Sequence, residues 1–107
     1  MEKPARTAHP IEPLLERRWS PRAFASTPIE RRVLARLFEA ARWAPSSYNE
    51  QPWRYVIATA ENPERLTEAQ SVLSPGNAWA RGAPVLMCTI AQLTFARNAK
   101  PNRHAFH

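Results

Sequence analysis

Pro45 and Pro52 bracket the stretch that most constrains how this chain can fold. It reads Ala44-Pro45-Ser46-Ser47-Tyr48-Asn49-Glu50-Gln51-Pro52-Trp53, and it divides the strongest helical pattern from the first clear strand pattern. Each proline fixes its own φ and pushes the residue before it toward an extended conformation. Helix therefore has to stop at Pro45, and a stiff loop carrying hydroxyls and amides follows. Such groups either satisfy their own backbone or hydrogen-bond a flat ligand rich in heteroatoms. Residue type leaves both readings open, and composition by itself favours the loop that satisfies itself.

A chain of 107 residues has room for one modest domain. Its 44% hydrophobic content suits a globular core rather than wholesale disorder. Eleven prolines against two glycines mean that proline, not glycine, shapes the loops. No apolar run approaches a membrane span, and the first seven residues lack the apolar centre of a signal peptide. The single cysteine, Cys88, excludes an intrachain disulfide. These features give the expectation of a cytoplasmic protein with no membrane partner. The net charge of +6 comes almost wholly from arginine. Arg31, Arg32, Arg36 and Arg42 share the polar side of one helix with Glu30 and Glu39, the pattern of a solvated face. The cluster Arg17-Arg18-Trp19-Ser20-Pro21-Arg22 stands apart from it.

In chain order, residues 1–9 read as a flexible arm. Residues 10–18 read as a short helix, with Ile11, Leu14, Leu15 and Arg18 at helical spacing, and Pro21 turns the next residues into a loop. Thr27-Pro28-Ile29-Glu30 has the form of a capping box with proline at the first helical position. It predicts a helix from residue 28 to 43 or 44, with Ile29, Val33, Leu34, Leu37, Phe38, Ala41 and Ala44 as its apolar stripe. Residues 53–59 are aromatic and β-branched enough for a strand. Asn62-Pro63 predicts the capped start of a helix over 63–72, with Leu66, Ala69 and Leu73 facing inward. Ser74-Pro75-Gly76-Asn77 signals a turn, and residues 78–82 a single helical turn. Residues 84–91 form an apolar run of strand length, expected to be buried on both faces, with Cys88 as a small core residue rather than a reactive thiol. Residues 92–107 show weak periodicity.

The fold class that follows is α+β, a mixed sheet flanked by helices in the order helix, helix, strand, helix, strand. Two strands make a thin layer. A strand as apolar as residues 84–91 needs neighbours on both sides, and residues 53–59 supply one. Either another chain completes the sheet or the rest of the domain lies outside this sequence.

Two motifs, taken together, carry a resemblance. Arg-Arg-Trp-Ser-Pro-Arg-Ala-Phe (17–24) is followed, after the long helix, by Ala-Pro-Ser-Ser-Tyr-Asn-Glu-Gln-Pro-Trp (44–53). In order and spacing this resembles the N-terminal half of the FMN-dependent nitroreductase family, across roughly residues 11–107. The second motif is the more specific. The resemblance implies that residues 10–107 are the N-terminal part of such a domain, and that the chain stops near the run before the family's interface helix, so that it is an incomplete piece.

The resemblance also implies a site. Arg18, Trp19, Ser20 and Arg22 match the family's first flavin-contacting segment. Arg18 would face the ribityl phosphate, where guanidinium geometry suits phosphate oxygens. Arg22 would lie near the N1–C2=O edge of the ring, where a cation stabilises reduced flavin, and Trp19 would act mainly through its backbone. Pro45, Ser46, Ser47 and Asn49 match the second segment, which in the family reaches the flavin of the partner subunit of a homodimer. Gln51 would support that loop or touch the flavin. The implied activity is electron transfer from NAD(P)H through FMN to a nitroaromatic, quinone or similar small acceptor. No side chain is required as general acid or nucleophile, and no metal is implied: His104 and His107 lack a third ligand.

Two other classes stay open on residue type. A small basic nucleic-acid-binding module would use the positive charge and the four tryptophans, although most aromatics fall at positions expected to be core. A non-catalytic remnant of a flavin fold that pairs with another chain would show neither flavin nor a stable fold alone.

Overall fold

A computed structural model describes residues 3–107. Its elements are helix α1 (Pro13–Arg17), helix α2 (Arg31–Arg42), a 3-10 turn (Ser47–Asn49), strand β1 (Trp53–Thr59), helix α3 (Pro63–Ser71), a 3-10 segment (Pro75–Gly82) and strand β2 (Val85–Ala91). The α+β order expected from the sequence is the observed one.

The strands pair antiparallel, with Trp53 opposite Ala91, Val56 opposite Cys88 and Thr59 opposite Val85. The ladder extends one bond beyond each end: Gln92 N donates to Pro52 O at 2.7 Å, and Ala60 N to Pro84 O at 2.9 Å. Alternation along the strands sends side chains to two faces. Helix α3 packs across both strands, and Val56, Ala58, Leu86 and Cys88 line an open apolar cleft of about 560 Å³ with Ala69, Val72 and Leu73 of that helix. Tyr55 points to the other face and meets Phe38 of α2, ring centres 5.1 Å apart. The two longer helices thus lie on opposite sides of a two-stranded sheet.

Local chemistry explains most element ends; α1, expected over residues 10–18, is confined to Pro13–Arg17, with a proline in its first turn. Asn62 caps α3 as its side chain predicts, its Oδ1 accepting the Arg65 N–H at 3.1 Å. Helix α2 stops at Arg42, ahead of Pro45, and the Trp43 N–H bonds back to Ala40 O at 3.2 Å. Its start differs from expectation. The N-cap is Glu30, with no side-chain cap bond, so the box at residues 27–30 does not form. The Glu30 carboxylate pairs instead with the Arg32 guanidinium at 2.6 Å, and Val33 N bonds to Glu30 O at 2.9 Å.

Burial is where the sequence misleads most. The buried apolar residues are Ala58, Ala83 and Ala105, and Pro52 is the largest side chain wholly enclosed. Asn102 is also buried, its Nδ2 without a partner among the described residues. Strand β2 is not buried on both faces, and Cys88 is exposed. Trp43 is 74% exposed, Leu37 56% and Val56 54%, so positions expected to be core face solvent. The reason is geometric: two strands leave one open edge each, and α2 and α3 cover only parts of the two faces. The accessible surface is 9124 Å², against about 6,000 Å² for a folded monomer of this mass. The radius of gyration is 17.0 Å, against about 13 Å for a compact chain of this length.

Candidate functional site

The first segment leaves α1 through Arg18, which is extended at φ −69° and ψ 133°. Arg17 turns back along its own helix, Nε donating to Pro13 O at 3.3 Å, and is thereby held away from the segment. Arg18 Nη1 donates to the Ser20 hydroxyl at 3.3 Å. Trp19 receives the Lys3 ammonium 5.3 Å from its ring centre. Arg18 and Arg22 are exposed, and among the described residues neither is paired with a carboxylate. Two guanidinium groups and a hydroxyl (Arg18, Arg22, Ser20) within five residues, none paired with a carboxylate among the described residues, make this segment chemically suited to phosphate oxygens.

The second segment is a compact loop built around one hydroxyl. Ser46 Oγ accepts the backbone N–H of Gln51 at 2.9 Å and its side-chain Nε2 at 3.4 Å. The Gln51 amide nitrogen also reaches Asn49 Oδ1 at 2.9 Å and Ala44 O at 3.3 Å. Asn49 N bonds to Ser46 O at 2.9 Å and Glu50 N to Ser47 O at 3.2 Å, closing the 3-10 turn. The backbone is left-handed at Tyr48 (φ 57°), Asn49 (φ 54°) and Gln51 (φ 50°). Asparagine tolerates this region, but tyrosine and glutamine do so at a cost of about 1–3 kcal/mol each. The loop therefore holds a conformation that its own sequence does not favour. Arg54 contributes from β1, its Nη1 donating to the carbonyls of Gln51 at 2.9 Å and Trp53 at 2.8 Å.

Both readings of the loop hold in part. Ser46 and Gln51 spend their polar groups on the loop itself. The Ser47 hydroxyl and the Asn49 NH2 have no hydrogen-bond partner among the described residues; Ser47 is half-buried and Asn49 exposed, and both keep a donor to spare on a stiff frame. Pro45 is exposed and fixes the exit from α2. That exit is reinforced by Glu39, whose carboxylate accepts Arg42 Nε at 2.8 Å and Trp43 Nε1 at 3.0 Å. The Arg42 hydrogen bond, then the Trp43 bond, holds the Glu39 carboxyl below its ordinary pKa, and Glu39 in turn raises that of Arg42.

Among the described residues no hydrogen bond or ring contact joins the 18–22 segment to the 45–51 loop. Within the chain the two are separate surfaces. Residues outside both motifs also shape the loop: Arg54 and the turn at 95–97. Glu50 Oε1 accepts the Ala96 N–H, and the Arg97 guanidinium lies 4.2 Å from the Tyr48 ring centre. The contact of Glu50 with Ala96 spans 46 positions, and no local pattern encodes such a pairing.

Known proteins match this chain in the same region. The model of the nitroreductase family matches residues 15–84. A nitrobenzene nitroreductase from Ectopseudomonas oleovorans is 39% identical over 59 residues, which is 55% of this chain and 26% of that protein. A 4-nitrobenzoate reductase from Pseudomonas putida is 41% identical over 46 residues, 43% of this chain and 20% of that protein. Among solved structures, the crystal structure of an oxidoreductase containing FMN superposes with a TM-score of 0.82 at 36% identity, covering 92% of this chain and 51% of that one. The chain thus spans about half of that structure, and its matches span about a quarter of the curated relatives.

Proposed function

The chain belongs to the nitroreductase family, and from that premise we propose that it works as an FMN-dependent oxidoreductase passing electrons from NAD(P)H to a nitroaromatic, quinone or similar small acceptor. Residues 10–107 act as the N-terminal part of a nitroreductase-like domain, in the cytoplasm, with residues 1–9 as an arm. The observation that carries the reading is the presence of two surfaces on one chain: an arginine-rich segment without carboxylate partners among the described residues, and a stiff loop with a hydroxyl and an amide donor to spare. Their donors fit a ligand with an anionic phosphate and a flat heteroatom edge.

Bound FMN would supply the redox chemistry, accepting hydride and releasing electrons to the acceptor. The chain's part is binding and electrostatics. Arg18, with Ser20 oriented by its hydrogen bond, takes the phosphate end. Arg22 places positive charge near the ring and favours the reduced, anionic state. Trp19 contributes its backbone between them. Pro45, Ser46, Ser47, Asn49 and Gln51 form a wall, in which Ser47 and Asn49 donate and Ser46 and Gln51 keep the shape. No side chain serves as acid or nucleophile.

The separation of the two surfaces within one chain supports a site shared between subunits, with the loop of one protomer facing the arginines of its partner. The exposed surface supports the same arrangement. It exceeds that of a compact monomer by about 3,000 Å² per chain, more than the share each partner contributes to a standard interface. A second copy is therefore the partner proposed for the open sheet.

Titration of the purified chain with FMN, read by quenching of flavin fluorescence and by solution mass, tests the proposal. A dimeric, flavin-binding protein that oxidises NAD(P)H in the presence of a nitroaromatic is expected. A folded monomer that leaves flavin fluorescence unchanged overturns it.

A further inference from the structure

Residues 93–102 form a small closed unit beyond β2. Asn102 N donates to Leu93 O at 2.8 Å and Phe95 N to Lys100 O at 2.9 Å, with Thr94 bridged to Pro101. Its turn is closed by Ala99 N on Phe95 O at 2.8 Å, and Ala99 itself is left-handed at φ 57°. One side of this unit lies against the 46–51 loop. The Ala96 N–H is accepted by Glu50 Oε1, the Phe95 ring meets Tyr48 edge-on at 5.8 Å, and the Arg97 guanidinium covers both rings, at 4.2 Å from Tyr48 and 5.5 Å from Phe95.

These contacts fall on a particular pair of residues. Tyr48 carries one of the two unfavourable left-handed backbones of the loop, and Glu50 is the one residue between two left-handed neighbours that keeps a right-handed conformation, φ −67° and ψ −24°. The internal bonds of the loop run through Ser46, Asn49 and Gln51 and do not touch either side chain. What fixes Tyr48 and Glu50 comes from the distant unit. We propose that Glu50 and Arg97 are positioning residues. Through the Ala96 amide and the Tyr48–Phe95 ring pair, they brace the loop in its left-handed form, and so set the direction of the Ser47 and Asn49 donors. The consequence for FMN rests on the loop being a flavin wall; the brace itself does not.

The test uses the full chain and two readouts. Exchange of the Gln51 amide, which is bonded to Ser46 Oγ, reports the loop directly; exchange of the Val56 and Cys88 amides, a hydrogen-bonded pair of the ladder, reports the fold. Glu50→Ala is expected to speed Gln51 exchange about tenfold with the strand amides unchanged, because a hydrogen bond to a charged group carries roughly that factor; Arg97→Ala, which removes cation–π contacts, is expected to speed it about threefold. Glu50→Gln keeps an acceptor for Ala96 and restores protection. Arg97→Lys restores it only partly, since an ammonium covers two rings less well than a planar guanidinium. FMN affinity is expected to fall by about the same factor as loop protection in each alanine variant. Unchanged Gln51 exchange overturns the brace, as does faster exchange in both the loop and the strands of every variant. Faster loop exchange with FMN affinity unchanged overturns the positioning role. If the wild-type chain leaves FMN unbound while Gln51 responds as expected, the cofactor reading fails and the brace stands.

Discussion

The Ser46 hydroxyl accepts two hydrogen bonds from one residue, the backbone and the side-chain nitrogens of Gln51, at 2.9 and 3.4 Å. A single oxygen therefore closes a loop with three left-handed non-glycine residues. Ser46→Ala removes it and leaves a half-buried N–H unsatisfied, at a cost of about 1–2 kcal/mol. A lower urea midpoint together with weaker FMN binding is expected. Ser46→Thr, which keeps the oxygen, is expected to retain most of both. Equal stability in the alanine variant would remove the hydroxyl from its role.

Arg18 and Arg22 are expected to separate by ligand. Arg18→Ala weakens FMN by about tenfold or more, the range of a charge-assisted contact, and leaves riboflavin, which lacks the phosphate, nearly unaffected. Arg22→Ala weakens both and lowers the reduction potential of bound flavin. Added salt reduces the FMN advantage over riboflavin. Parallel titrations of the two flavins decide it, and an equal loss for both in Arg18→Ala refutes the phosphate assignment.

Asn62 caps α3 on the far side of β1 from the loop. Asn62→Ala is expected to lower stability by about 1 kcal/mol with FMN affinity unchanged, whereas Asn62→Asp keeps the acceptor and the stability. Thermal melts of the three proteins provide the comparison.

Glu39 gives the chain a pH dependence at the end of α2. Its carboxyl is held below the ordinary value of 4.5 by the Arg42 and Trp43 hydrogen bonds. A depressed folded pKa contributes stability that is complete above the unfolded value and is lost as pH falls through the folded one. Stability is therefore expected to decline below about pH 4.5, and Glu39→Gln is expected to flatten that decline. The Trp43 indole N–H resonance should shift over the same range, and should be pH-independent in the variant.

The open sheet predicts self-association. A solution mass of twice the 12.2 kDa of the chain is expected at micromolar concentration, falling on dilution. A mass of 12.2 kDa at every concentration would count against the shared site.

Much of this was legible in the residues. Strand β1 falls on residues 53–59 because aromatic and β-branched residues follow Pro52 in one short run, and α3 starts at Pro63 because Asn62 supplies an acceptor beside a proline with no N–H to satisfy. The two motifs led to the family. The failures have one form. The box at 27–30 requires Glu30 to reach back to the backbone, but its carboxylate pairs with the charged Arg32 instead. Cys88 was read as core from the apolarity of its neighbours, but apolar neighbours do not reveal whether anything lies across from them.

Sequence alone determined where helices break and strands run, because prolines, caps and periodicity act within a few residues. It also placed both candidate surfaces, since their chemistry lies in contiguous motifs. Tertiary structure decided what those surfaces are attached to. The left-handed backbone at Tyr48 is held against its own preference by Glu50 on Ala96 and Arg97 on Tyr48. Those contacts join positions more than forty residues apart, and only the folded chain brings them within a few ångströms.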